Sequence, residues 1–220
     1  MKWSVVTDSS CDILPMTYSS DYIELTSVPF VISVGHEDFI DNEDLDVQRM
    51  LHDMEQEKSA SHTSCPAPGT WLEQFEKADC TFAITISSQL SGSMNSALTA
   101  MDMALEAHPE KKIAVLDSGS TGPELVLCVR ELEKLAREGV DFDEAVVRAN
   151  QFLDKTKCIF ALSSFDNLIK NGRMNKMTGF LAKALGMWGI GSASDEGKIV
   201  IEGKTKGPKK AVRALIALMK

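Results

Sequence analysis

The sequence predicts an α/β fold in which parallel strands alternate with helices. Short apolar runs with many β-branched residues recur along the chain, and segments with apolar residues at helical spacing follow most of them. Strands and helices that alternate in this way build β-α-β units with a parallel sheet. The 220 residues are enough for one large domain or two smaller ones, each with a buried core.

The first strand is predicted at residues 3–6, an apolar run that ends in the polar loop of residues 7–10. A second β-branched and aromatic run covers residues 28–34, and the apolar stripe of residues 46–54 is typical of an amphipathic helix. We expect a domain boundary near residues 150–157. The other predicted elements are strands at residues 81–86, 113–116, 158–162 and 199–201, and helices at residues 71–75, 94–105, 124–138, 142–154, 168–173, 178–185 and 209–220.

Hydroxyl-rich turns follow three of the predicted strands, directly after Val6, Ile86 and Leu116. In a parallel sheet the carboxyl ends of the strands lie along one edge, and ligands bind at that edge. We therefore expect the three turns to meet around a binding site.

Composition excludes several classes of function. The formal net charge of −9 disfavours a broad basic surface for nucleic acid, because phosphate neutralisation dominates that affinity. No apolar run is long enough to span a bilayer, and the run near Met1 is too short for a secretion signal because Asp8 interrupts it. We expect a cytoplasmic protein that neither inserts into a membrane nor binds nucleic acid.

The cysteines and the absent motifs narrow the choice further. The five cysteines are scattered and form no C-x-x-C pair, which favours free thiols in a reducing compartment. With only four histidines, the sequence shows no zinc-ligand spacing, so no metal site is expected. Dinucleotide-binding, P-loop and G-x-S-x-G motifs are absent, and the corresponding functions lose their usual sequence support.

The turn at residues 87–93 is the most informative segment, because it joins a strand end to a helix start. Backbone N–H groups and the helix dipole favour an anion at such a position. Gly92 lets a ligand approach the backbone closely, and Ser91 and Ser93 carry hydroxyl donors. The alternative interpretation is that these serines only cap the helix.

Other candidate residues also have two interpretations. Thr63 and Ser64 precede the helix predicted at residues 71–75 and could either cap it or bind a ligand. Arg173 could pair with a ligand carboxylate or with an acidic surface. For Asp8, which follows the first predicted strand, capping of the turn is favoured over metal binding.

Five short motifs occur in a fixed order: Val-Thr-Asp-Ser-Ser at residues 6–10, Thr-Ser-x-Pro at 63–66, Ser-Ser-x-Leu-Ser-Gly at 87–92, Asp-Ser at 117–118 and Asn-Gly-Arg at 171–173. Along its whole length the chain resembles the DegV family of bacterial fatty-acid-binding proteins. The resemblance implies two α/β domains with a lipid between them. These are a flavodoxin- or Rossmann-like parallel-sheet domain at residues 1–155 and a smaller α/β domain with a mixed sheet at residues 156–220.

The resemblance also implies a ligand and a site. Thr63 and Ser91 match the family positions whose hydroxyls bind the fatty-acid carboxylate, and Arg173 matches an arginine near that head group. The other expected ligand-binding residues lie in the same motifs: Ser64, Gly92 and Ser118. Some members carry the acyl substrate of bacterial fatty acid kinase. This implies a lipid-binding protein of phospholipid metabolism that needs no cofactor, performs no chemistry itself and presents a long-chain fatty acid to a kinase partner.

Some positions depart from the family pattern, namely Cys65, residues 93–94, Asn171 and residues 189–191. The family also continues past the position of Lys220 through a strand-helix-strand unit that bears a histidine near the pocket. The C-terminal domain is therefore expected to lack that unit.

Two alternatives stay open at the level of sequence. One is an enzyme that acts on a small phosphorylated or carboxylated metabolite at the strand-end cleft, which requires a base or a metal near Ser91. Its candidate groups are Asp8, Asp117 and His62. The other alternative is a relative of the family whose pocket is closed.

Overall fold

The computed structural model describes residues 2–174 and 186–219. The strands are Trp3–Asp8 (β1), Ile23–Val28 (β2), Val31–Val34 (β3), Glu37–Ile40 (β4), His62–Ser64 (β5), Cys80–Thr85 (β6), Lys112–Asp117 (β7), Ile159–Leu162 (β8), Met187–Ala193 (β9) and Ile199–Lys206 (β10). The helices are Val47–Gln56 (α1), Pro68–Phe75 (α2), Ser93–Ala107 (α3), Pro123–Arg137 (α4), Phe142–Leu153 (α5), Asp166–Lys170 (α6) and Pro208–Leu218 (α7), with one 3₁₀ turn at Pro15–Thr17.

The central sheet has the strand order β2-β1-β6-β7, and all of its pairs are parallel. This confirms the predicted parallel α/β fold. The strand order reverses at β1, since the chain runs from β1 outward to β2 and later returns to β6 on the other side of β1. In open α/β sheets such a reversal opens a crevice at the carboxyl edge, between the two strands that flank it.

Helices cover both faces of the central sheet, so its strands are apolar on both sides. On one face, side chains such as Val5 and Phe82 pack against α4 and α5. On the other face, Val6 and Ala83 pack against α2 and α3. Val5 and Val6 are both fully buried, which explains why β1 reads as a continuous apolar run.

A small antiparallel sheet, β4-β3-β5, lies beside the central one and packs against α1. It was not predicted. The apolar run at residues 28–34 predicts one strand, but Pro29 lies between β2 and β3 and has no N–H to continue a ladder. All three residues of β5 are exposed, so that strand leaves little hydrophobic signal.

The C-terminal sheet has the order β10-β9-β8 and is antiparallel throughout the described residues. This corrects the mixed sheet predicted for that part of the chain. A short turn joins β9 to β10, and a hairpin connection of that length forces the two strands to be antiparallel. Strand β9 was missed because its glycines weaken the strand pattern. The division at residue 155 stays a prediction.

Two local expectations also changed, and a third is not tested. Helix α2 begins at Pro68 with Ala67 as its N-cap and no side-chain cap, so neither Thr63 nor Ser64 caps it. Both residues lie in β5 instead, and a proline at the first position fits a helix start without such a cap. Helix α6 ends at Lys170, before the residues predicted as its last turn. The helix predicted at residues 178–185 lies outside the described residues.

Candidate functional site

Asp8 organises the carboxyl edge of the central sheet. Its Oδ2 accepts hydrogen bonds from the Ile86 N–H at 2.9 Å and from the Ser93 hydroxyl at 2.6 Å. Its Oδ1 accepts hydrogen bonds from the hydroxyl and the N–H of Ser10, at 2.6 and 3.2 Å. The carboxylate at the end of β1 therefore fixes both its own turn and the turn that follows β6.

Burial raises the pKa of Asp8 above its usual value, because desolvation outweighs the hydrogen bonds that favour the charged form. Four donors already satisfy the carboxylate, which is the turn-capping role that the sequence favoured. Among residues 2–174 and 186–219, no group of three or more acidic, histidine or cysteine side chains is arranged to hold a metal ion.

The turn after β7 and the tip of the β9–β10 hairpin join the same edge. Ser87 N–H donates to the Ser120 carbonyl at 2.7 Å, and the buried Ser87 hydroxyl donates to the Gly197 carbonyl at 2.7 Å. A Cβ on Gly197 would lie 3.0 Å from the Gly119 backbone. The prediction that the hydroxyl-rich turns meet is confirmed, and the C-terminal hairpin docks on them.

A cavity of about 590 Å³ lies at this edge, between the central sheet, the β4-β3-β5 sheet and the C-terminal sheet. Its walls are mainly apolar. The apolar side chains on the walls come from the two antiparallel sheets, from α1, α4 and α6, and from the segments that follow β2 and β6: Phe30, Ile32, Met50, Met54, Ile86, Leu90, Pro123, Ile159, Phe160, Leu162, Leu168, Ala193 and Ile199. Open space of this size among the described residues does not favour the alternative of a closed pocket.

Three of the predicted ligand-binding residues, Thr63, Ser91 and Arg173, lie on the wall of this cavity. Thr63 comes from β5, where it pairs with Ile32 of β3. The Ser91 oxygen accepts a hydrogen bond from Ser93 N–H at 3.2 Å, which leaves the Ser91 proton free to be donated elsewhere. Neither hydroxyl donates to another atom of the described residues, so both can donate to a ligand.

Hydrogen bonds connect the segments that carry these three residues. Arg173 Nε donates to the Leu90 carbonyl at 2.9 Å, and its Nη1 donates to the Asn171 carbonyl at 2.6 Å. The Asn171 amide donates to the Ser61 carbonyl at 3.0 Å, and its oxygen lies 2.9 Å from His62 Nδ1. The segment 171–173 thus bridges β5 and the turn after β6.

Asn171 is not among the ligand-binding residues predicted from the sequence, although it belongs to the Asn-Gly-Arg motif and departs from the family pattern. It also lies on the cavity wall. Its position two residues before Arg173, in the same motif, was the available signal.

The other predicted ligand-binding residues, Ser64, Gly92 and Ser118, are not on the cavity wall. Ser64 follows Thr63 in a strand, where successive side chains point to opposite faces. A Cβ on Gly92 would be 3.4 Å from the Cys65 sulfur. The Ser118 hydroxyl donates to the Ser120 carbonyl and accepts from Ser120 N–H, both at 3.1 Å, so its role lies within the turn.

The side chains that an enzyme would need as a base already make contacts within the protein. The Asp117 carboxylate accepts hydrogen bonds from Gly119 N–H at 2.9 Å and from Ser88 N–H at 3.2 Å, which holds the turn after β7. His62 contacts Asn171, and neither Asp117 nor His62 is on the wall of the 590 Å³ cavity. All five cysteines are free thiols, as predicted.

Comparisons with known proteins assign the chain to a family. The family model described as "Uncharacterised protein, DegV family" matches residues 2–220. The chain belongs to the DegV family. A DegV domain-containing protein of Streptococcus pyogenes serotype M1 is 40% identical over 216 residues, which are 98% of this chain and 77% of that protein.

Two solved DegV-like structures resemble the chain over nearly all of its length. One is the Streptococcus pneumoniae fatty acid kinase (Fak) B3 protein loaded with linoleic acid, with a TM-score of 0.94 and 37% identity over 100% of this chain and 78% of that one. The other is a DegV family protein from Eubacterium eligens loaded with heptadecanoic acid, with a TM-score of 0.92 and 37% identity over 99% and 77%. Within the described ranges of this chain, no helix is long and apolar enough to cross a membrane.

Proposed function

We propose that this DegV protein binds a long-chain fatty acid, with the carboxylate at Thr63 and Ser91 and the tail in the cavity. The observation that carries the proposal is the cavity itself, whose apolar wall includes these two hydroxyls and Arg173. The two similar structures that contain linoleic and heptadecanoic acid support the same ligand class.

The volume of the cavity suits such a tail. At about 30 Å³ per methylene-sized group, close to the share of a water molecule in the liquid, a tail of roughly sixteen methylenes occupies about 480 Å³. The cavity measures about 590 Å³. Each buried methylene contributes about 0.8 kcal/mol, so the tail supplies more than about 10 kcal/mol before the costs of association and ordering are deducted.

The head group then sets orientation. Thr63 and Ser91 each donate one hydrogen bond to the carboxylate, and the N-terminus of α3 lies two residues after Ser91 with its dipole favouring negative charge. Arg173 adds a cation on the same wall. Hydroxyl donors and one cation are enough to hold a carboxylate, and none of these groups is a general base.

The protein performs no reaction alone in this proposal. A separate kinase transfers the γ-phosphoryl group of ATP to a carboxylate oxygen of the bound fatty acid, and ADP leaves. The name of the similar structure, fatty acid kinase (Fak) B3 protein, supports this role. No observation favours the alternative of a metabolite enzyme, since Asp8 and Asp117 are both committed to turns.

Binding to the delipidated protein tests the proposal. Thr63→Ala and Ser91→Ala each remove one hydrogen bond to a charged group, about 1.5–3 kcal/mol, so the Kd for palmitate should rise about tenfold or more in each variant. Thr99→Ala is the matched control, because Thr99 is exposed on α3 and its hydroxyl donates to the Asn95 carbonyl of the same helix. Native mass spectrometry or displacement of a fluorescent fatty acid gives the constants.

Two results would contradict the proposal. The first is a delipidated protein that takes up no palmitate or oleate. The second is an affinity for palmitate that is the same in Thr63→Ala, in Ser91→Ala and in their double variant as in Thr99→Ala.

A further inference from the structure

The aromatic ring of Phe160 lies directly over a glycine of the neighbouring strand. Phe160 in β8 and Gly191 in β9 are cross-strand partners, and side chains at paired positions share one face of a sheet. A Cβ built on Gly191 would be 2.5 Å from Phe160 Cζ and 2.6 Å from Cε2. Carbon atoms in contact are normally about 3.5–4.0 Å apart. The ring therefore occupies the space that any side chain at position 191 would need.

The same ring forms part of the cavity wall. Phe160 lines the 590 Å³ cavity. The ring centre of Phe165 is 6.5 Å from that of Phe160, but Phe165 is buried and does not line the cavity. The Phe160 ring thus lies against β9 and a second aromatic ring, and it also lines the cavity. A displacement of the ring from β9 therefore changes the shape of the cavity that it lines.

We propose that Gly191 and Phe160 together set the length of acyl chain that the cavity accepts. Because position 191 has no side chain, the Phe160 ring lies against β9. The cavity volume that the ring would otherwise fill is then available to the ligand. This inference rests on the proposed fatty-acid function and assigns a specificity role to two residues that are distant in sequence from Thr63 and Ser91.

Gly191→Ala tests the inference, because the new Cβ pushes the ring by about 1 Å to reach normal contact. We expect longer chains to lose more affinity than shorter ones. The readout is the Kd for stearate divided by the Kd for myristate, measured by competition on delipidated protein. This ratio should rise at least about fivefold, and it does not depend on what fraction of the sample is active.

Gly203→Ala is the matched control. Gly203 is also a strand glycine of the C-terminal sheet, in β10, and a Cβ there meets nothing within 4 Å. The ratio should be unchanged in this variant.

Phe160→Ala provides a second route, since Gly191→Ala also brings a Cβ within 2.9 Å of the Val200 carbonyl and could loosen the β9–β10 pair. Removing the ring should lower the stearate-to-myristate ratio. In the Phe160→Ala background, Gly191→Ala should leave the ratio unchanged, because there is no ring left to displace.

The outcomes separate the two proposals. If neither fatty acid binds the parent protein, the proposed function fails. A second outcome is that both fatty acids bind, that Thr63→Ala weakens the binding of both, and that the ratio stays constant in Gly191→Ala and in Phe160→Ala. In that case the proposed function stands, and the length-setting role of Gly191 and Phe160 is refuted.

Discussion

Gly197→Ala should destabilise the protein because Gly197 is where the C-terminal hairpin docks on the central sheet. Its φ of +80° lies in the left-handed region, which costs an alanine roughly 1–2 kcal/mol. The new Cβ would also lie too close to the Ser87 oxygen and 3.0 Å from the Gly119 backbone. Relief of that contact requires the Ser87 hydroxyl to rotate away from the Gly197 carbonyl, which it now contacts at 2.7 Å.

The expected magnitude is the sum of these effects. A lost buried hydrogen bond costs about 1 kcal/mol and residual crowding against Gly119 adds to it, so Gly197→Ala should lower the free energy of unfolding by about 2–4 kcal/mol.

Gly139→Ala isolates the backbone contribution. Gly139 follows the end of α4 with a φ of +73°, but a Cβ there meets nothing within 4 Å. Gly139→Ala should therefore cost only about 1–2 kcal/mol.

Equilibrium unfolding of the delipidated proteins in urea measures both values, after coincident transitions by two probes establish two-state behaviour. The docking contribution is the difference between the two variants. If Gly197→Ala costs no more than Gly139→Ala, the hairpin tip does not dock on the turns after β6 and β7 in the way described.

Two further predictions concern the polar framework of the site. The folded-state pKa of Asp8 lies above its unfolded value of 3.8, so its contribution to stability is fully present below that pH and is lost as pH rises through the folded pKa. The difference in unfolding free energy between the parent and Asp8→Asn should therefore fall as pH is raised from below 3.8 to 7, whereas a rise would indicate a lowered pKa. Asn171→Ala removes the hydrogen bonds to the Ser61 and Asn167 carbonyls, so palmitate binding should weaken several-fold and the free energy of unfolding in urea should fall by about 1–2 kcal/mol. The control is Asn95→Ala, because Asn95 is exposed. Equal palmitate affinity in the two variants would contradict the bridging role of Asn171.

Three of the four strands of the central sheet were predictable, because burial leaves a pattern in sequence. Strands β1, β6 and β7 are apolar runs that stop at hydroxyl-rich turns, and parallel pairing alone was enough to bring those turns together. The small strands β4 and β5 were missed because they are mostly exposed and one of them is only three residues long. Their pairing depends on neighbours that no local pattern specifies.

The candidate site was predictable only in part, for a related reason. Thr63, Ser91 and Arg173 were found through motifs, but Asn171, Phe160 and Gly191 act through partners that are far away in the chain. The contact between Gly191 and Phe160 depends on the register between β8 and β9, and the glycines of β9 hide that strand from periodicity.

The docked hairpin also links ligand occupancy to thermal stability. Gly197 and Ile199 lie on the cavity wall, while the Gly197 carbonyl accepts the buried hydrogen bond from Ser87. A fatty acid that fills the cavity contacts both the hairpin and the turns at the carboxyl edge of the central sheet, so it binds only when both are in place. At a free ligand concentration of 100 times its Kd, such a ligand raises the unfolding free energy by about 2.7 kcal/mol. The melting temperature of the purified protein should therefore report how much lipid it carried from the cell.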